Sequence, residues 1–168
     1  MTGAQRAFTL IELLVVVGIL GVVGAVAADV FVNVSRSYNK ANVIAEVERN
    51  GNAALAQMTL EIKNSRVASR PNSRTLILTT ASGAAVTYLF VPQTASANGY
   101  IARNGIPLTD NAFTSGVNVT GLSFSLLDAT PPAVIITLTL TQPLGSPSRV
   151  DFQAGTTLKT TVSLRTYK

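Results

Sequence analysis

A continuous apolar run begins near the amino end of the chain. From Phe8 to Ala28 the sequence reads FTLIELLVVVGILGVVGAVAA, and Glu12 is the only ionisable residue in these twenty-one positions. As an α-helix, this run is about 31 Å long, close to the roughly 30 Å thickness of a bilayer core. The pattern predicts a transmembrane helix. Because Arg6 is the only charge before it, we expect the amino end to stay cytoplasmic and the rest to be exported.

Beyond Ala28 the apolar residues keep helical spacing but fall on two different faces. The first face carries Phe31, Val34, Tyr38, Ala41 and Ala45, and the second carries Ile44, Val47, Gly51, Leu55, Met58 and Ile62. The spacing predicts one long helix from Phe8 to about Val67, and the Pro71-Asn72-Ser73 stretch is its expected end. Its first half would pack on other helices, and its second half would lie under its own globular domain.

From Thr75 onward the period changes to two, and Thr and Val become abundant. This alternation predicts an antiparallel sheet with one apolar face and one face of hydroxyl groups. The predicted strands are 75–80, 85–91, 100–103, 117–127, 133–142, 149–153 and 156–165. Residues 92–116 are expected to form a long surface loop that contains short irregular strands. The expected fold class is therefore α+β, with a long N-terminal α-helix packed on a C-terminal antiparallel β-sheet head.

The composition excludes several kinds of chemistry. The 168 residues include no His and no Cys, so His general bases, Cys nucleophiles, Cys/His zinc sites and disulfides are absent. The acids of the predicted head, Asp110, Asp128 and Asp151, are isolated in or beside turns. We therefore predict no catalytic residues, no metal site, no cofactor and no enzymatic activity.

The net charge of +5 is concentrated in one part of the chain, which is otherwise only 12% charged. Seven basic residues fall between positions 36 and 74: Arg36, Lys40, Arg49, Lys63, Arg66, Arg70 and Arg74. One interpretation is a solvated helix face with complementary contacts between subunits. The other is that Arg66, Arg70 and Arg74 contact DNA or another anion. No aromatic residue interleaves with these three, so a platform for stacking single-stranded bases is not supported.

The apolar run has three possible roles. It could be a secretory signal, cleaved after Ala25-Val26-Ala27 to release an exported soluble β protein that begins at Ala28. It could also be a plain membrane anchor. That role leaves Glu12 unexplained, because a carboxylate at the centre of a bilayer costs about 2.5 to 3.5 kcal/mol on insertion scales.

The third role comes from a resemblance. The string from Ala7 to Leu20, AFTLIELLVVVGIL, resembles the class III signal of type IV prepilins and pseudopilins. The resemblance implies that a prepilin peptidase cleaves between Ala7 and Phe8 and that the new amino terminus at Phe8 is methylated. It also implies that Glu12, the fifth mature residue, sets the assembly register by pairing with the Phe8 amine of a neighbouring subunit. The family usually has Gly before the cut, where this chain has Ala7.

Gly18, Gly21 and Gly24 recur every three residues inside the apolar run. Small residues allow helices to approach closely in membranes. Each glycine also weakens a helix by about 1 kcal/mol relative to Ala. We therefore expect these positions to serve helix packing, or local melting when a subunit leaves the bilayer.

The expected organisation is a cleaved leader over 1–7, a transmembrane and assembly helix over 8–28, an amphipathic continuation over 29–70 and a β head over 71–168. The resemblance implies a structural subunit of a type IV pilus-like filament or of a secretion pseudopilus. The head weakly resembles larger minor pilins and J-type pseudopilins, and a DNA-uptake or adhesive minor pilin is the alternative. Implied partners are the prepilin peptidase/methyltransferase, other pilin subunits, the inner-membrane assembly platform and membrane lipid, with DNA in the alternative. The subunit would start in the bacterial inner membrane and move to a periplasmic or cell-surface filament.

Overall fold

A computed structural model describes residues 9–165. One helix, α1 (Leu10–Lys63), is followed by a series of strands, which confirms the predicted α+β class. The chain divides between Asn39 and Lys40 into two compact units, which are described separately. The strands are β1 (Ser65–Asn72), β2 (Thr75–Thr80), β3 (Ala85–Val91), β4 (Tyr100–Arg103), β5 (Ile106–Pro107), β6 (Asn118–Leu127), β7 (Ala133–Thr141) and β8 (Gly155–Ser163).

The strands form two antiparallel sheets. The first has the order β1-β2-β3-β4-β5, and the second has the order β6-β7-β8. Each sheet follows the order of the chain, because short connections join neighbouring strands. Strand positions 75–80, 85–91 and 100–103 agree with the prediction from the alternating pattern.

The core of the second unit forms where α1 meets both sheets. Five of the six residues of the predicted second helical face are buried, namely Val47, Gly51, Leu55, Met58 and Ile62, while Ile44 is 38% exposed. They pack in one cluster with side chains from both sheets, including Leu78, Tyr88, Phe124 and Leu138. Each such aliphatic or aromatic side chain stabilises the fold by about 1.5–3 kcal/mol when fully buried. Both sheets therefore pack against the same face of the helix.

Gly51 is the point of closest approach between α1 and the second sheet. A Cβ atom at this position would lie 2.7 Å from Leu158 Cδ1 and 2.9 Å from Leu140 Cδ1. Packing thus explains the glycine at this position of the helix. It lets the helix backbone lie directly against β7 and β8.

Backbone and amide groups join the two sheets along β6. The Phe124 N–H donates to the Ser73 carbonyl at 2.8 Å, and the Val119 N–H donates to the Gly99 carbonyl at 2.8 Å. The buried side chain of Asn118 accepts from the Gly99 N–H at 2.8 Å. Gly99 is required at this contact, because a Cβ atom there would lie 2.2 Å from the Val119 carbonyl oxygen.

A polar cluster fastens the end of α1 to the first sheet. Arg103 on β4 forms a salt bridge of 2.8 Å with Glu61 Oε1. The Tyr88 hydroxyl and Glu61 Oε2 are buried beside this pair, and neither makes a well-formed hydrogen bond with the described residues. Burial first, and then the adjacent Glu61 carboxylate, raise the pKa of Tyr88 above its usual value.

The helix ends earlier than the sequence pattern predicts. It stops at Lys63, and residues 65–72 form β1, so the predictions of a helix to about Val67 and of a helical continuation over 29–70 are wrong at that end. The Ser65 hydroxyl donates to the Glu61 carbonyl at 2.6 Å and closes the last turn. Pro71 disfavours helical geometry at the residue before it, and pairing with β2 satisfies the backbone of 65–72 instead.

A second element also differs from the prediction. Residues 149–153 were expected to form a strand, but Val150–Phe152 form a short 3-10 helix. Arg149 pairs with Asp151 across this turn at 2.9 Å, and Asp151 is buried. The Arg149 guanidinium also lies over the Phe152 ring, 5.6 Å from its centre. These local contacts favour a tight turn over an extended segment.

The close approach at Gly51 gives a test of the packing. We expect Gly51→Val to lower the free energy of unfolding by about 1–3 kcal/mol, because the added methyl groups overpack the contact with Leu140 and Leu158. The measurement is unfolding of the detergent-solubilised full chain, followed by circular dichroism. Ala53→Val is the matched control, since it places the same side chain at an exposed position of the same helix. An equal loss in both variants would contradict the packing explanation.

Candidate functional site

The first unit presents a helix whose apolar side chains are not covered by the rest of the chain. Leu10 is 81% exposed, Val22 66% and Phe31 74%. Among the described residues, α1 is the one helix long and apolar enough to cross a membrane, and none of its most apolar 18-residue window is buried. Such a surface requires lipid or other helices around it, because water solvates it poorly.

Thr9 and Glu12 close the amino end of this helix through reciprocal hydrogen bonds. The Thr9 N–H donates to Glu12 Oε2 at 2.9 Å, and the Thr9 hydroxyl donates to the same oxygen at 2.8 Å. The Glu12 N–H lies 3.3 Å from the Thr9 hydroxyl oxygen, to which it donates. This is a capping box, in which side chains satisfy backbone N–H groups that a helix leaves without partners.

The capping box gives Glu12 a role within its own chain. Its carboxylate accepts two hydrogen bonds and lies at the positive end of the helix dipole, which offsets part of the cost of placing it in an apolar segment. The role of Thr9 was not predicted, although the spacing Thr-x-x-Glu before an apolar run is the sequence signal for it. Both bonds use Oε2, so Oε1 accepts no hydrogen bond from residues 9–165.

The three glycines of the apolar run have open space around them. Apart from the adjacent residues and the local helix backbone, no atom of the described chain lies within 4 Å of the position that a Cβ would occupy at Gly18, Gly21 or Gly24. Contacts within the described chain therefore do not explain glycine at these positions, in contrast to Gly51. Their roles in helix packing or melting stay predictions.

The predicted cleavage and methylation positions, Ala7 and Phe8, lie outside the described residues. Thr9 and Glu12 both follow the predicted cut. The capping box would therefore remain intact in a chain that begins at Phe8.

The structure distinguishes between the three arginines that were predicted to contact DNA or another anion. Arg66 and Arg70 lie on β1, and Arg74 lies in the turn between β1 and β2. Arg70 donates to the Phe124 carbonyl at 3.1 Å and so helps join the two sheets. Arg66 is also engaged in an interaction. Arg74 lies over the Phe90 ring, 5.7 Å from its centre. Their contact with DNA stays a prediction.

Within residues 9–165 no group of three or more His, Cys, Asp or Glu side chains is placed to hold a metal ion. Of the isolated acids, Asp110 accepts from the Ala112 N–H at 3.0 Å and from the Ser115 hydroxyl at 2.8 Å. These bonds, the backbone one first, hold the pKa of Asp110 below its usual value. The carboxylate thus shapes its own loop, as expected of an Asp in a turn.

A known sequence motif matches the amino-terminal part of the chain, including the apolar run. Residues 3–28 match the prokaryotic N-terminal methylation motif, the class III signal of type IV pilins. The match includes Ala7, Phe8, Thr9, Glu12 and the three glycines. No curated protein and no solved structure matches the chain.

Proposed function

We propose that this chain, which carries the prokaryotic N-terminal methylation motif, is a structural, non-enzymatic subunit of a bacterial type IV pilus-like filament or secretion pseudopilus. The observation that carries the proposal is the motif at residues 3–28 on a helix whose first unit exposes its apolar side chains. A subunit stored in a membrane needs that surface for lipid. A subunit in a filament needs it for the helices of its neighbours.

In this proposal the same helix is surrounded first by membrane lipid and later by the helices of other subunits. The subunit first spans the inner membrane with its amino end in the cytoplasm, where a prepilin peptidase/methyltransferase cleaves after Ala7 and methylates Phe8. The inner-membrane assembly platform then transfers it into a periplasmic or cell-surface filament. Lipid around α1 is replaced by other pilin subunits, so apolar surface is covered in both states.

Glu12 is proposed to act twice in this sequence. Oε2 caps its own helix through Thr9, while Oε1 stays available to the Phe8 amine of an adjacent subunit. An ion pair formed in an apolar filament core is strengthened by the low dielectric, and removing one partner leaves a buried charge. A carboxylate held by its own cap also loses little conformational entropy when it forms that pair.

We place the subunit among the minor pilins or pseudopilins. Support comes from the absence of the cysteine pair that many major pilins carry near their carboxyl end. The head is held instead by apolar packing on α1 and by hydrogen bonds along β6.

The position of the mature amino terminus tests the proposal directly. We expect mass spectrometry of the protein from a host with a prepilin peptidase to find methylated Phe8 as the first residue. In a host without the peptidase, the same chain should keep residues 1–7. A mature chain that begins at Ala28 would show a conventional signal peptide, and uncleaved chains in both hosts would show a plain anchor. Either result would refute the proposal.

The two roles of Glu12 can be separated by substitution. Glu12→Gln keeps a side chain that can cap the helix but removes the charge, whereas Glu12→Ala removes both. Thr9→Ala keeps the charge and removes the hydroxyl of the cap. Because register depends on the charge, we expect filaments to be blocked or slowed in E12Q and E12A and to form in T9A. The measurement is sheared filament yield, compared at equal amounts of membrane-inserted subunit.

Normal filaments from E12Q would mean that Glu12 acts only as a helix cap. That outcome would contradict the register role while leaving the cleavage test above unaffected. Loss of filaments in T9A as well as in E12Q, with normal membrane insertion, would mean that assembly needs the cap in addition to the charge.

A further inference from the structure

A groove of about 190 Å³ opens where the turn between β1 and β2 faces β6 and β7. Its lining combines one guanidinium group with several hydroxyl groups and includes no carboxylate. The residues that matter for its chemistry are Arg74, Phe90, Thr120, Ser123, Thr137 and Thr139. This combination suits a ligand that carries negative charge and many hydroxyl groups.

Arg74 is held in place without an ion pair to the described residues. Its backbone N–H donates to Asn72 Oδ1 at 2.9 Å, and its carbonyl accepts from the Phe90 N–H at 3.1 Å. Its guanidinium stacks over the Phe90 ring, as the 5.7 Å separation shows. Within the described part of the chain that guanidinium forms no salt bridge or hydrogen bond. An oriented cation with unused donors therefore lines the groove.

A row of polar side chains extends from the groove across the outer face of the second sheet. Ser123 on β6 pairs in register with Thr137 on β7, which pairs with Lys159 on β8. Because neighbouring strands lie about 4.8 Å apart, Lys159 is roughly 10 Å from Ser123 along this row. Lys159 is exposed and forms no salt bridge with residues 9–165. The row thus has a cation near each end and hydroxyl groups between them.

We infer that this row, from Arg74 to Lys159, binds an acidic polysaccharide built from uronate sugars. Arg74 would receive one carboxylate through two parallel N–H donors, which is the geometry that guanidinium groups favour. The hydroxyls of Ser123 and Thr137 would bond to the sugar hydroxyls, and Lys159 would meet a carboxylate further along the polymer. The inference does not depend on the proposed filament role.

The same observations favour a saccharide over a nucleic acid. Phe90 is only 8% exposed and its ring already carries Arg74, so it offers no surface on which a base could stack. The remaining contacts are hydroxyls rather than a cluster of cations, and DNA binding draws chiefly on many basic contacts to phosphate. DNA is therefore the competing outcome in the test.

The test measures binding of the detergent-solubilised full chain to polygalacturonate, to its methyl ester and to single- and double-stranded DNA, all at one salt concentration. We expect polygalacturonate to bind most tightly and the uncharged ester to bind at least about tenfold more weakly, because a charge-assisted bond is lost. Arg74→Gln should weaken polygalacturonate binding by about tenfold or more, and Arg74→Lys by less. Thr137→Val should also weaken it, since it removes a hydroxyl at constant shape.

Arg49→Gln is the matched control, because it removes the same charge from an exposed position on α1 outside the groove. We expect it to change polygalacturonate binding by less than about twofold. Each variant is first checked for an unchanged circular dichroism spectrum and unfolding midpoint. No binding by the wild-type chain, or equal losses in R74Q and R49Q, would overturn the inference. Tighter binding of DNA that is lost in R74Q would overturn it in favour of a phosphodiester site.

Discussion

Burial of one helical stripe against two sheets is the interaction on which the second unit depends. Val47, Leu55, Met58 and Ile62 fill the space between α1 and the sheets, and Gly51 lets the backbone approach β7 and β8. Within the described residues, backbone hydrogen bonds along β6 also connect the second sheet to the first, so the two sheets are joined both directly and through the helix. Burial along the stripe ends at Val47, and Ile44 is already 38% exposed. In the first unit, by contrast, apolar residues of the helix such as Val22 and Phe31 are exposed.

The geometry at Thr9 and Glu12 changes how an acidic residue in an apolar segment is understood. The cost of the carboxylate in a bilayer argued that Glu12 has a function, and the resemblance to prepilins implied that this function lies between subunits. The capping box supplies an additional reason within the chain, because Glu12 satisfies the Thr9 N–H and hydroxyl. The two explanations are compatible, since each carboxylate has two oxygens. The cap orients one of them and leaves the other without a partner among the described residues.

The sequence predicted most clearly those elements whose pattern directly reflects burial. The stripe through Val47 and Met58 and the alternation in 75–80 and 85–91 are examples, because the period of apolar residues is set by the geometry of the element. The end of α1 was missed because two contacts determine it: the hydrogen bond from the Ser65 hydroxyl to the Glu61 carbonyl, and the pairing of β1 with β2. Neither contact produces a periodic pattern of apolar residues in the sequence. The distinct contacts of Arg70 and Arg74 were hidden for the same reason. Their partners, Phe124 and Phe90, lie on later strands of the chain.

The outer edge of β8 has a consequence for crowded subunits. Within the described residues this strand pairs only with β7, so its other side presents unpaired backbone groups. Exposed edges of this kind recruit further strands, and proteins that must stay separate commonly place a lysine there. Lys159, near the middle of β8, meets that description. Its positive charge would disfavour edge-to-edge pairing of β8 with the same strand of a second copy at high local concentration.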